Sequence, residues 1–242
     1  MNTTTLEKMK QMRFLGMHRA FKTTMESQQH QQMTTDEMIA FLIDSEWDDR
    51  QNRHIERHTK NARFRYSASI EQLYYDKERN LDKNQLLRYA DCTFIEEKEN
   101  ILITGSTGIG KSYVATAIGH QACTLRYKVL YLNTEKLMAK LKMAKADGSY
   151  LKEVARIERQ DLLILDDFGI QPFDNQSRMS LLEIMEDRHG KRSTIITSQL
   201  PVKQWHEVIG EKTIADAILD RIVHDAHRIE LKGESLRKKL NS

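Results

Sequence analysis

A glycine-rich octapeptide, Gly105-Ser106-Thr107-Gly108-Ile109-Gly110-Lys111-Ser112, directly follows the apolar run Ile101-Leu102-Ile103 and precedes a long helical pattern. It fits G-x-x-x-x-G-K-[ST] at every fixed position, and a phosphate cradle has to lie between a buried strand and a helix. The glycines let the backbone curl so that successive amides point inward at phosphate oxygens. The helix that starts near Lys111 adds its positive N-terminal end. Lys111 is then expected to reach the β- and γ-phosphates, and the Ser112 hydroxyl to bind Mg²⁺.

Beyond residue 98 the chain repeats this strand-then-helix alternation. Val129-Leu130-Tyr131-Leu132, Leu162-Leu163-Ile164-Leu165 and Thr194-Ile195-Ile196-Thr197 are each too short for a helix, and each is followed by a helical pattern. Their apolar residues run on without alternating, as in parallel strands covered on both faces. The expected class is α/β, with a mainly parallel sheet flanked by helices. Residues 1–98 are instead almost purely helical in pattern. We expect a small helical domain over 1–65, a linker over 66–98 and the nucleotide core over 99–242. Thr34 and Glu37 have the spacing of a capping box, after which Met38, Phe41, Leu42 and Ser45 form the expected buried stripe. Earlier, Leu6, Met9 and Met12 are separated from Met17, Phe21 and Met25 by an expected helix break at Gly16. The methionines along this stretch suit adaptable packing or a plastic partner surface.

Leu162-Leu163-Ile164-Leu165-Asp166-Asp167 ends a buried run in two carboxylates. Beside a phosphate cradle, Asp166 is the candidate for the metal side and Asp167 for orienting or deprotonating the attacking water. The pair of motifs points to hydrolysis of a nucleoside triphosphate. No Asn-Lys-x-Asp run is present, which favours ATP over GTP, although no adenine-specific motif is visible either.

With these motifs in place, the chain resembles the IstB-like transposition ATPases, the helper proteins of bacterial insertion sequences, which are AAA+ P-loop NTPases related to DnaC helicase loaders and the DnaA initiator. The resemblance covers nearly the whole chain. It runs through Met12-Arg13-Phe14-Leu15-Gly16-Met17, Ala40-Phe41-Leu42-Ile43-Asp44-Ser45-Glu46-Trp47, the segment from Arg50 to Arg65, and Cys92-Thr93-Phe94-Ile95. It implies that Gln199 ends a sensor strand facing the γ-phosphate, where relatives often carry Asn. Ala217-Ile218-Leu219-Asp220-Arg221-Ile222 resembles the helix bearing an arginine finger, so Arg221 is the candidate that reaches a neighbour's ATP. Gly233-Glu234-Ser235-Leu236-Arg237 resembles the motif in which Arg237 is a sensor arginine. Two departures stand out. Asp166-Asp167 replaces the usual Asp-Glu pair, which implies slow hydrolysis, and fewer than 20 residues follow Asp225, which implies a minimal C-terminal lid.

Charge adds a further candidate. The chain has 38 Lys and Arg against 35 Asp and Glu, a net +3 that decides nothing by itself. Yet Arg50, Arg53, Arg57, Lys60, Arg63 and Arg65 crowd one stretch, and Arg50, Arg53, Arg57 and Lys60 share a helix face. A concentrated basic face suits phosphate tracking by counterion release, and a solvated helix face is the plain alternative. Lys136 and Lys140, one turn apart, are a second DNA candidate through the resemblance. No stripe of aromatics suggests base stacking, so largely sequence-independent binding to double-stranded DNA is expected. The whole implies a homo-oligomer with ATP at protomer interfaces, working beside a cognate transposase. A DnaC-like helicase loader is the alternative, and a DNA-binding protein with a decayed nucleotide site is a third. The mean hydropathy of −0.63 and the lack of an apolar run near the ~20 residues of a membrane span point to a soluble cytoplasmic protein. Cys92 and Cys123 are expected to be ordinary half-buried thiols.

Overall fold

The computed structural model describes residues 2–75 and 79–236. The chain divides into two compact units, residues 1–57 and 58–242.

The first unit contains α1 (Asn2–Gln11), α2 (Leu15–Glu26) and most of α3 (Thr35–Ala62). The capping box forms as its spacing predicts: the Glu37 carboxylate accepts from the Thr34 amide at 2.7 Å, and the Glu37 amide donates to the Thr34 hydroxyl at 3.3 Å. The helix break falls at Met12–Phe14, where Arg13 takes φ +61°, and not at Gly16. Gly16 lies inside α2, and a Cβ there would collide with the Ser45 carbonyl of α3. The glycine thus serves a close helix crossing. The expected apolar stripe is also corrected. Phe41 is exposed, Met38 and Leu42 are half-buried, and the buried residue of α3 in this unit is Glu46. Its carboxylate accepts from the amides of Gly16 and Met17 at 2.9 and 3.2 Å, satisfying the otherwise orphan donors at the start of α2. Burial opposes ionisation of Glu46, but hydrogen bonds from Arg50, Met17 and Gly16 outweigh it and hold the carboxyl below its ordinary range.

The second unit follows with α4 (Lys83–Ala90), α5 (Thr93–Glu96), β1 (Asn100–Thr104), α6 (Lys111–Thr124), β2 (Val129–Asn133), α7 (Thr134–Asp147), α8 (Tyr150–Glu158), β3 (Leu162–Phe168), α9 (Asn175–Arg188), β4 (Ser193–Ser198), α10 (Trp205–Ile209), α11 (Lys212–Val223) and β5 (Ala226–Glu230). The sheet is parallel throughout, in the order β2-β3-β4-β1-β5. Residues alternate between its two faces. Ile101, Ile103, Ile164 and Ile195 pack with Val114, Ala115 and Ile118 of α6. Leu102, Leu130, Leu163, Leu165 and Ile196 join the core built with α7, α9 and α11. The α/β class predicted from the apolar runs is the class observed. β5 had no such run, because at this sheet edge only Ile229 of the strand is buried. Cys92 and Cys123 are fully buried, not half-buried, and burial pushes both thiols up to about 12. No helix among the described residues is long and apolar enough to cross a membrane.

Arg188, at the end of α9, ties the far end of this sheet together. It is 2% exposed and donates to the carbonyls of Ile157, Gln160 and Ser193 and to the Thr194 hydroxyl. Burial, with the nearby Arg192 charge, pushes its pKa down to about 9, so it stays protonated at neutral pH. Arg188→Met leaves those acceptors without their donor, and we expect a loss of about 3 kcal/mol of stability in urea denaturation.

Candidate nucleotide site

The C-terminal ends of parallel strands leave a crevice where ligands bind in open α/β sheets. Here β1 runs into the glycine loop, and Gly110 (φ +101°) serves as the N-cap of α6. Gly108 (φ +80°) is equally confined: a Cβ there would run into the Ser235 hydroxyl. Only glycine meets both demands, a left-handed backbone and no side-chain volume. Lys111 is 6% exposed, and its Nζ donates to the carbonyls of Gly105 and Ser106 at 2.8 and 2.9 Å. Burial lowers its pKa, and the charges of Asp167 and Asp166 oppose that shift.

A cavity of about 690 Å³ opens over this loop. It is lined by Thr107, Gly108, Gly110, Lys111 and Ser112, and also by Tyr66, Leu73, Tyr74, Tyr113 and Val114. A lining that combines polar and cationic groups with aromatic ones suits an anionic phosphate tail and a flat heteroaromatic base. The aromatic wall comes largely from residues 66–74, which the sequence offered only as a linker. Asp167 and Gln199 also line the cavity, and the Thr107 hydroxyl donates to Gln199 Oε1 at 2.7 Å. Gln199 thus touches the glycine loop directly.

Asp166 is fully buried at the end of β3. Thr197 Oγ1 of β4 donates to its Oδ1 at 2.5 Å, and the Tyr131 hydroxyl of β2 donates to its Oδ2. Thr197 Oγ1 also accepts from the Asp167 amide at 3.1 Å. Asp167 adopts φ +59° where the β3–β4 register shifts, and its Oδ2 accepts from Asn133 Nδ2 at 3.2 Å. Burial first, then the Asp166 charge, raises the Asp167 pKa, while Arg65, Lys111 and Asn133 work against that rise. The oxygen donors fit a hard divalent ion: the Ser112 hydroxyl at the first turn of α6 and the Asp166 carboxylate are the candidates to hold Mg²⁺. Among the described residues no group of three His, Cys, Asp or Glu side chains is arranged for a metal. A phosphate-linked Mg²⁺ needs none, since it takes one or two protein oxygens and completes its shell with phosphate and water.

The remaining sequence candidates fall elsewhere. Arg221 Nη1 donates to the Ala217 carbonyl and Nη2 pairs with Glu186 of α9, while its own carbonyl accepts from Asn100 at the start of β1. It therefore lies at the end of the sheet opposite its own glycine loop. Arg237 lies outside the described residues. Arg50 and Arg53 are held in ion pairs, Arg50 with Glu46 at 2.7 Å and Arg53 with Asp49 at 2.7 Å and Glu46 at 3.5 Å. Arg57, Lys60 and Arg63 are exposed, and Arg57 contacts His54. Lys136 is exposed, whereas Lys140 pairs with Glu153 at 2.5 Å. Arg65, counted in the basic run, instead turns to the acid pair, 3.6 Å from Asp167 Oδ2. Thr197, Tyr131 and Asn133 were not singled out by the sequence; position at a strand end was their one available signal.

Residues 7–242 match the family of IstB-like ATP binding proteins. The chain belongs to this family. It is 44% identical over 234 residues to the insertion sequence ATP-binding protein y4pL of Sinorhizobium fredii, covering 97% of this chain and 96% of that one. It is 30% identical over 203 residues to the ATP-binding protein of insertion sequence IS21 of Pseudomonas aeruginosa, covering 84% and 77%. Among solved structures, DnaI superposes with a TM-score of 0.60 at 23% identity, covering 68% of this chain and 91% of DnaI. AMPPCP-bound DnaA of Aquifex aeolicus also gives 0.60, at 17% identity, covering 74% and 56%. These two likenesses establish the AAA+ P-loop fold of this IstB-like chain.

Thr197 gives the site a direct test. Thr197→Val keeps the shape but removes a donor from a buried carboxylate, and we expect it to lower stability by about 2 kcal/mol in urea denaturation.

Proposed function

We propose that this IstB-like chain is an ATP-dependent, DNA-binding regulator of transposition. In this reading it assembles on duplex DNA and recruits or stimulates its element's transposase, with ATP hydrolysis governing the assembly. The observation that carries the reading is the convergence of the glycine loop, Lys111, Gln199 and Asp167 on one cavity, with Asp166 buried next to Asp167. The loop amides and Lys111 bind the phosphates, with Gly105, Ser106 and Ile109 completing the cradle. Ser112 and Asp166 would hold Mg²⁺, which would supply charge neutralisation for the phosphates when bound. Asp167 orients the attacking water and takes its proton. Gln199 faces the transferred phosphate, and Arg237 is kept as the sensor arginine of the C-terminal motif.

Arg221 supports a site shared between copies. β1 rises about 3.3 Å per residue, so roughly 16 Å of sheet separates the Asn100 end, where Arg221 is anchored, from Gly105. An arginine there serves the nucleotide of a neighbouring copy. Its exposed partner Glu186 can release it at small cost. Relatives that match nearly the full chain are insertion sequence proteins, whereas the likeness to helicase loaders extends to the fold alone. That asymmetry favours transposition over helicase loading.

For DNA, the ion pairs of Arg50 and Arg53 assign them to holding Glu46 and Asp49. Arg57, Lys60 and Arg63 are then the DNA contacts, with Lys136 a second candidate and Lys140 tied to Glu153.

Lys111→Ala is expected to abolish ATP binding, and Arg221→Ala to keep binding but lose turnover and ATP-driven assembly. Mixing the two variants should restore phosphate release that neither shows alone; no recovery would mean that Arg221 does not act across an interface. Lys60→Ala should lower the slope of log affinity against log salt for duplex DNA by about 0.9, as one lost phosphate contact does. An unchanged slope would remove Lys60 from the DNA surface.

A further inference from the structure

Asp166 and Asp167 set two carboxylates side by side, one of them fully buried. Like charges this close need a counter-charge. Lys111 is committed to the carbonyls of Gly105 and Ser106. Arg65 is the other cation at hand: its Nη1 lies 3.6 Å from Asp167 Oδ2 and 4.0 Å from Asp166 Oδ2. The two residues flanking it are anchored at the site. Phe64 packs edge-on against Tyr131, the ring whose hydroxyl donates to Asp166. Tyr66 lines the nucleotide cavity and lies under the Arg65 guanidinium, 5.3 Å from its centre. The Arg65 side chain itself is 51% exposed. Its backbone is thus pinned between two rings while its charged head rests on the acids from the solvent side, at ion-pair rather than tight hydrogen-bond distance.

We propose that Arg65 is a displaceable counter-ion of the catalytic acids, standing beside the acid pair whose charge Mg²⁺ would share and giving way when Mg²⁺ enters with ATP. The inference rests on the proposed role of Asp166 on the metal side. Arg65 and the metal are competing counter-charges for the same acid pair, so the pair stays neutralised in the nucleotide-free chain and the metal requirement becomes steeper. Because the guanidinium is half in water, its withdrawal costs little, and the competition is correspondingly modest.

The test measures binding, not turnover. Mg²⁺ is titrated against the full chain with a fluorescent N-methylanthraniloyl-ATP, and the half-saturating Mg²⁺ concentration is read from the fluorescence. Arg65→Ala is expected to lower that concentration by about three- to fivefold, the scale of a half-exposed ion pair, and to leave nucleotide affinity in EDTA unchanged. Arg65→Lys, which keeps a cation, should stay near the parent value. A midpoint that is unchanged or raised in Arg65→Ala overturns the proposal. Should Arg65→Ala fail to fold by circular dichroism, Arg65→Gln is compared with Arg65→Lys, and equal midpoints overturn it likewise. Asp166→Asn separates the two levels. If Mg²⁺ dependence survives that substitution, the metal assignment has failed; if Asp166→Asn removes it while Arg65→Ala shifts nothing, only the role of Arg65 has failed.

Discussion

Burying a carboxylate without donors costs several kcal/mol, and the second unit is organised around one such group. Asp166 is fully buried, and two hydroxyls from two different strands meet it. That requirement fixes register. Tyr131 must stand on β2, opposite Ile164, and Thr197 on β4, opposite Ile103 of β1, so that both reach the end of β3. A shift of one residue in either strand would turn its hydroxyl to the other face of the sheet. The same alignment brings Asn133 opposite Asp166 and within reach of Asp167. It also leaves Gln199, two residues beyond Thr197, at the glycine loop. Satisfying one buried charge therefore arrays the polar ends of β2, β3 and β4 beside the loop that leaves β1.

How much of this was legible depends on how local each signal is. The glycine loop is contiguous, and each of its positions has a reason that can be read without the fold. The strands flanking it were legible because both their faces are covered and their apolar residues run on. β5 was not, since an edge strand with one buried residue, Ile229, has no pattern to distinguish it from a loop. The aromatic wall of the cavity was hidden for another reason. Tyr66 and Tyr74 lie more than thirty residues before Lys111, and nothing in their spacing links them to it.

Charges were the least legible feature. Counted from Arg50 onward, the basic stretch has one acid, Glu56. A helix pairs residues four apart, however, so the relevant acids are Glu46 and Asp49, one turn earlier. A buried Glu46 cannot be left as a bare charge, and it already serves the first amides of α2. Arg50 and Arg53 complete its neutralisation, so part of an apparently free basic face belongs to the architecture of the helical unit. Arg65 lies beyond the end of α3 at Ala62 and faces the acid pair near the end of β3 instead.

The two ends of the sheet carry opposite requirements, and this accounts for the distribution of arginines. At the C-terminal edge Asp167 lines the cavity, and the cation beside the acid pair, Arg65, is half exposed and held only at ion-pair distance. At the N-terminal edge nothing needs to exchange around Arg188, and it is sealed in by three carbonyls and a hydroxyl. Arg221 stands at that same edge but has fewer partners than Arg188, one backbone acceptor and one exposed acid, Glu186. An arginine meant only to close the structure would be expected to look like Arg188. The looser hold on Arg221, at the end of the sheet opposite its own glycine loop, is what the proposed role in a neighbouring copy requires.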